Sequence, residues 1–153
     1  MKRWMFFAAL FIIYLIIPEG QGVDVARLQP VELLCVCQEA GRVKVITDTQ
    51  DYGVGNTLEA ALTDLERSAE GVVFLDTVDF VLITEQTRDQ LPYICKTLRP
   101  AARLVLAAGM VEPETAAAYL RAHETELTLM DYRKGRRDLP KLMTGGEGRY
   151  VLQ

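Results

Sequence analysis

Residues Phe80 to Thr84 read FVLIT, and this run decides the fold. Its apolar residues are consecutive rather than alternate, so both faces of the strand need cover, as in the centre of a sheet flanked by helices. It closes the longer stretch VVFLDTVDFVLIT, Val72 to Thr84, which holds two apolar runs. Helical patterns stand on either side. Upstream, Leu58, Ala61, Leu62, Leu65 and Ala69 recur at helical spacing, with Glu59, Asp64, Glu66 and Arg67 opposite and Gly71 closing the helix. Downstream, EQTRDQLPYICKTL places Leu91, Ile94, Cys95 and Leu98 on one side, and Pro92 is tolerated near a helix start.

Moving outward, VELLCVC (Val31 to Cys37) and RVKVITD (Arg42 to Asp48) are β-rich runs separated by QEAG. Gly41 supplies the turn of a β-hairpin. DTQDYGVGN then reads as a polar loop, with Asn56 capping the next helix and Glu59 completing a capping box. RLVLAAG, Arg103 to Gly109, is a further strand, and Pro113 opens a helix through ETAAAYLRAH. An amphipathic stretch, ELTLMDYRKG, ends at Gly135, and the tail DLPKLMTGGEGRYVLQ adds an edge strand or hairpin. The expected order is β-β-α-β-α-β-α, an α/β (α+β) domain with helices packed on a mixed sheet.

The N-terminus sets the compartment. Lys2 and Arg3 precede an uncharged run from Trp4 to Ile17, and Pro18 stops it. That is the shape of an export signal or a short anchor, since about 17–20 apolar residues span a bilayer. The run is apolar on every side, which a surface helix of a globular domain cannot be. Residues 1–22 are therefore expected to be a signal peptide or membrane anchor, and residues 23–153 a single domain facing the extracytoplasmic side. The glycines of GQG, Gly20 and Gly22, make a weak cleavage pattern, so a retained anchor is the expectation. The chain is 50% apolar with a net charge of -4, a globular composition that argues against a broad nucleic-acid surface. Three cysteines, Cys35, Cys37 and Cys95, cannot close a disulfide framework and read as reduced core residues.

No catalytic constellation stands out. His123 is the one histidine and reads as a surface residue. Asp76 and Asp79 bracket TV at the mouth of a strand, where two carboxylates could do acid–base work, bind a hard cation or form a solvated turn. YGVGN lacks the spacing of a phosphate loop, so Gly53 and Gly55 read as turn residues, and TGGEG, Thr144 to Gly148, as a hairpin turn. RKGRR is the one concentrated charge feature. Arg133, Lys134, Arg136 and Arg137 either complement a helix C-terminus or meet anionic headgroups or an acidic partner.

The stretch GNTLEAALTDLERSAEGVVFLDTVDFVLITEQT resembles the N-terminal domain of the spore germination lipoproteins, the C subunits of nutrient germinant receptors. Gly55, Thr57, Glu59, Ala60, Leu65, Phe74, Leu75, Val81 to Ile83 and Glu85 follow that family's order of a glycine-threonine helix and two strands. VDVARLQPVELLCV upstream, TLRPAARLVLAAGMVEPETAAAYL downstream and the DLPKL of the tail extend the likeness from Val23 to Gln153. One departure is chemical: IIPEGQG carries no cysteine where the family has its lipidated one, and the apolar leader takes the place of the lipid.

The resemblance implies a non-enzymatic, membrane-attached protein of an endospore former, without cofactor. It would act by protein–protein contact with integral membrane subunits of a germinant-receptor-like complex at the cell or spore inner membrane. Two rival expectations stand beside it. One is a small secreted hydrolase or ligand-binding module using Asp76, Asp79 and the DTQDYG loop. The other is an anchored structural protein unrelated to sporulation.

Overall fold

A computed structural model of the chain describes residues 27–109, 111–123, 125–145 and 149–153. The leader, residues 1–22, lies outside them. Among the described residues no helix is long and apolar enough to cross a membrane.

The elements run β1 (Leu28–Pro30), β2 (Leu33–Glu39), β3 (Arg42–Thr47), β4 (Tyr52–Gly55), α1 (Leu58–Ser68), β5 (Val72–Phe74), β6 (Phe80–Ile83), α2 (Leu91–Thr97), β7 (Arg103–Ala108), α3 (Pro113–Ala122), α4 (Leu129–Arg133), β8 (Lys141–Thr144) and β9 (Tyr150–Leu152). Seven strands form one mixed sheet in the order β4-β3-β2-β6-β7-β8-β9. β2, β6, β7 and β8 run parallel; β3 and then β4 add antiparallel to one flank, and β9 closes the other antiparallel to β8. β1 and β5 pair separately as a short parallel ribbon.

FVLIT is central, as its composition requires. Every residue of β6 is buried, and it lies fourth of seven strands between β2 and β7. Its side chains divide between two cores. Val81 and Ile83 join Leu34, Val36, Leu104 and Leu106 beneath α1, α2 and α4. Phe80 and Leu82 join Leu33, Cys35, Val105 and Leu142 beneath α3. The β2–β3 hairpin turns on Ala40 and Gly41, both at positive φ (51° and 78°), the sense that matches strand twist in a two-residue turn.

The structure corrects several local readings. YGVG is strand β4, not loop. Its glycines serve a close helix–strand approach rather than a turn, since a Cβ on Gly53 would stand 2.1 Å from the Ala61 carbonyl oxygen. The cap of α1 is Thr57, whose hydroxyl accepts from the Ala60 N–H at 3.2 Å, and Asn56 falls one residue too early. Residues Glu85–Gln90 form a 3-10 turn ahead of α2, held by the Thr87 hydroxyl, which donates to the Val36 carbonyl at 2.9 Å. Val72–Phe74 pairs with β1 instead of entering the main sheet. The tail does form a hairpin, β8–β9, although residues 146–148 of its turn lie outside the described set.

Candidate functional site

α4 is short, and its ends explain how the basic segment is displayed. The Thr128 hydroxyl accepts from the Asp131 N–H at 3.2 Å, and the Asp131 carboxylate accepts from the Thr128 N–H at 3.2 Å. The Thr128 hydroxyl also donates to this carboxylate at 2.7 Å, and with the Thr128 N–H it holds the Asp131 carboxyl below its usual range, helped by Arg136 and Lys134. Gly135 reverses the chain at φ 105°, and Arg136 and Arg137 then run exposed toward β8.

The four sequence-predicted cations take two roles. Arg137 donates to the Tyr132 carbonyl at 2.6 Å and lies over the Tyr132 ring at 4.1 Å, which is the helix C-terminal role. Arg133, Lys134 and Arg136 are not buried, and among the described residues none of them forms an ion pair. Arg133 and Arg137 share a cleft of about 370 Å³ with Lys96, Pro92, Cys95 and Tyr132, and among the described residues no carboxylate lines it. Their charges reach its floor. Burial pushes the Cys95 thiol up, while Arg133 and Arg137 pull against that rise.

Arg136 lies on a second cleft of about 360 Å³, with Asp138, Thr125, Leu152 and Gln153 among its walls. Thr125 is 6% exposed, and among the described residues its hydroxyl has no hydrogen-bond partner. This cleft reaches β9, an edge of the seven-stranded sheet. Lys141 and Gln153 exchange both backbone bonds, at 2.7 and 2.9 Å, so the N–H and C=O of Leu152 point away from β8. The opposite edge is closed. On β4 the Val54 N–H donates to the Asp64 carboxylate at 2.9 Å, and the Ser68 hydroxyl donates to the Tyr52 carbonyl at 2.9 Å.

The other candidates go elsewhere. Asp79 is ion-paired with Arg99, and Asp76 sits on an exposed turn. Both precede β6, at the amino ends of the parallel strands, whereas α/β sheets place ligands at the carboxyl ends. In the DTQDYG loop, Asp48 accepts from the Glu32 and Leu33 N–H groups at 3.1 Å, and Asp51 accepts from the Thr49 hydroxyl at 2.9 Å. These carboxylates serve the fold. His123 is exposed and stacks on Tyr119 with ring centroids 3.9 Å apart.

Asp76→Asn and Asp79→Asn are each expected to change stability by less than about 1 kcal/mol, because exposed pairs contribute little. Thermal unfolding checks this, and a loss beyond roughly 2 kcal/mol would assign Asp79 a larger structural role. Sequence reading misses Lys96 and Tyr132 at the basic cleft, whereas the edge strand or hairpin expected of the tail is present, with β9 at the sheet edge. Lys96 joins the cations only because α2 packs on α4, a contact between distant segments. No family model matches the chain, no curated protein matches it, and no solved structure matches it.

Proposed function

We propose that the chain is a membrane-attached extracytoplasmic domain that works by contact, in the manner of the germinant-receptor C subunits its sequence resembles. It sits at the cell or spore inner membrane of an endospore former and touches integral membrane subunits of a germinant-receptor-like complex. It needs no catalytic group or cofactor. The observation that carries this reading is the β9 edge, which no further strand pairs among the described residues, beside the basic segment and joined to it by the cleft that Arg136, Leu152 and Gln153 line. An open edge offers backbone hydrogen bonds to an extended partner strand, and cations beside it favour anionic headgroups at the membrane surface. The carboxylates a hydrolase would need are held in turns and ion pairs instead.

Attachment comes from the run Trp4 to Ile17, with the basic segment adding about 1 kcal/mol per cation near an anionic surface. The full chain is therefore expected in the membrane fraction and to stay there through a high-salt wash, because salt screens charge but not apolar insertion. Recovery as a soluble cytoplasmic protein with its N-terminus intact would overturn the reading.

A further inference from the structure

The α3 face of the sheet holds a cavity of about 510 Å³ at the carboxyl ends of β2, β6 and β7. That volume is within the range of small-ligand sites, and the position is the one such sheets use. Ile46, Ala107 and Val111 give it apolar walls, and Cys35 and Cys37 reach it from one strand. Strand alternation puts these two cysteines on the same face. β3 brings Lys44 directly opposite Cys37, and Ile46 opposite Cys35. All three cysteines are free, and Cys37 alone is not buried.

We propose that Cys37 is a thiol-exchange site, which captures a low-molecular-weight disulfide in the cavity beside Lys44 as a mixed disulfide. The two thiols are made unequal by their surroundings. The neighbouring Cys35 thiol favours the Cys37 thiolate, and the Lys44 ammonium adds to the effect, against burial and the Glu39 carboxylate. Together they bring Cys37 down to about 7, whereas the same contact and deeper burial push Cys35 well up. The ionisable groups lining the cavity are Cys35, Cys37, Glu39 and Lys44, and the Tyr52 ring lies 5.4 Å beyond Lys44. Glu39 also pairs with Lys44 at 2.8 Å, fixing the ammonium on this side of the hairpin.

The exchange balances without an outside oxidant. The Cys37 thiolate attacks one sulfur of RS–SR, the S–S bond breaks, and Cys37–S–S–R forms. The leaving RS⁻ takes a proton from water, and the disulfide is the group reduced. Closure by Cys35 is disfavoured, since residues two apart in a strand are about 6.6 Å between Cα atoms, near the upper limit for a disulfide. The mixed disulfide therefore persists.

The test incubates the reduced full chain with glutathione disulfide across pH 5 to 10 and follows adducts by intact mass and peptide mapping. One adduct per chain is expected, on Cys37, with half-maximal rate near pH 7. Glu39→Gln should move that midpoint down. Cys35→Ala/Lys44→Met should move it to the ordinary thiol range, about 8.5 or above, and slow capture at pH 7 by about threefold. The loss is that small because a more basic thiolate is a better nucleophile, so the double variant becomes the faster protein at pH 10. Cys95→Ser should change nothing. Modification first at Cys35 or Cys95, a wild-type midpoint above about 8.5, or rapid closure to a Cys35–Cys37 disulfide would each overturn the proposal. The wild-type profile alone separates these outcomes, even where a variant fails to fold.

Discussion

Replacing Leu82 with aspartate is expected to give a chain that never folds cooperatively. Leu82 is 0% exposed in the strand at the centre of the sheet, with Cys35 beside it on β2 and Val105 on β7. α3 packs over this face, so no water reaches the position. A carboxylate there has no cation to meet and must be buried charged or take up a proton, at a cost of several kcal/mol either way. The lost leucine adds about 2–5 kcal/mol, the range of a large-to-small core change. The sum rivals the whole stability of a domain this size, about 5–15 kcal/mol. Leu82→Ala is the informative partner, since it removes the side chain without adding charge and should fold with lowered stability. Circular dichroism and urea unfolding of the two variants test this, and a cooperative Leu82→Asp protein would show that FVLIT is not core.

Gly53→Ala should be nearly as damaging, for a steric reason. Its Cβ would stand 2.1 Å from the Ala61 carbonyl oxygen and 2.3 Å from the Leu65 amide nitrogen, both backbone atoms that cannot rotate aside. α1 would have to lift from β4, stretching the Asp64 and Ser68 bonds that close that edge. A loss above about 3 kcal/mol is expected, in the range reserved for core disruption. Gly41→Ala makes the contrast. Its φ of 78° disfavours a side chain, but nothing lies within 4 Å, so about 1–2 kcal/mol is expected. Equal losses at the two positions, measured by urea unfolding, would contradict a helix packed on glycine backbone.

These two variants also mark what the sequence makes legible. FVLIT is readable because consecutive apolar residues have one good use in a chain this short, and the flanking helices follow from their periodicity. Gly53 and Gly55 mislead because a glycine needed for close approach looks, in sequence, the same as one needed for a turn. Thr57 and Asn56 are both good caps, and only the helix axis chooses between them. The basic run is visible as composition and the tail hairpin as pattern, but Lys96 is not, because tertiary packing brings it to the basic run. Cys37 is hidden similarly. Its partner Lys44 is seven residues away, and only the hairpin register sets them face to face.

A contact domain in spore germination must show itself in the spore and not in the growing cell. Deleting the gene should leave vegetative growth unchanged and impair germination. Restoring the wild-type chain, or one carrying Asp76→Asn and Asp79→Asn, should restore germination. A chain with Arg133, Lys134 and Arg136 all changed to Gln should not, because three cations proposed to meet the membrane, at about 1 kcal/mol each, would be lost. Germination of the deletion strain, followed by loss of spore refractility after nutrient addition, is the most direct measurement. Slow or incomplete germination is expected, and normal germination in a strain without a second copy of the gene would contradict a role for this domain in the process.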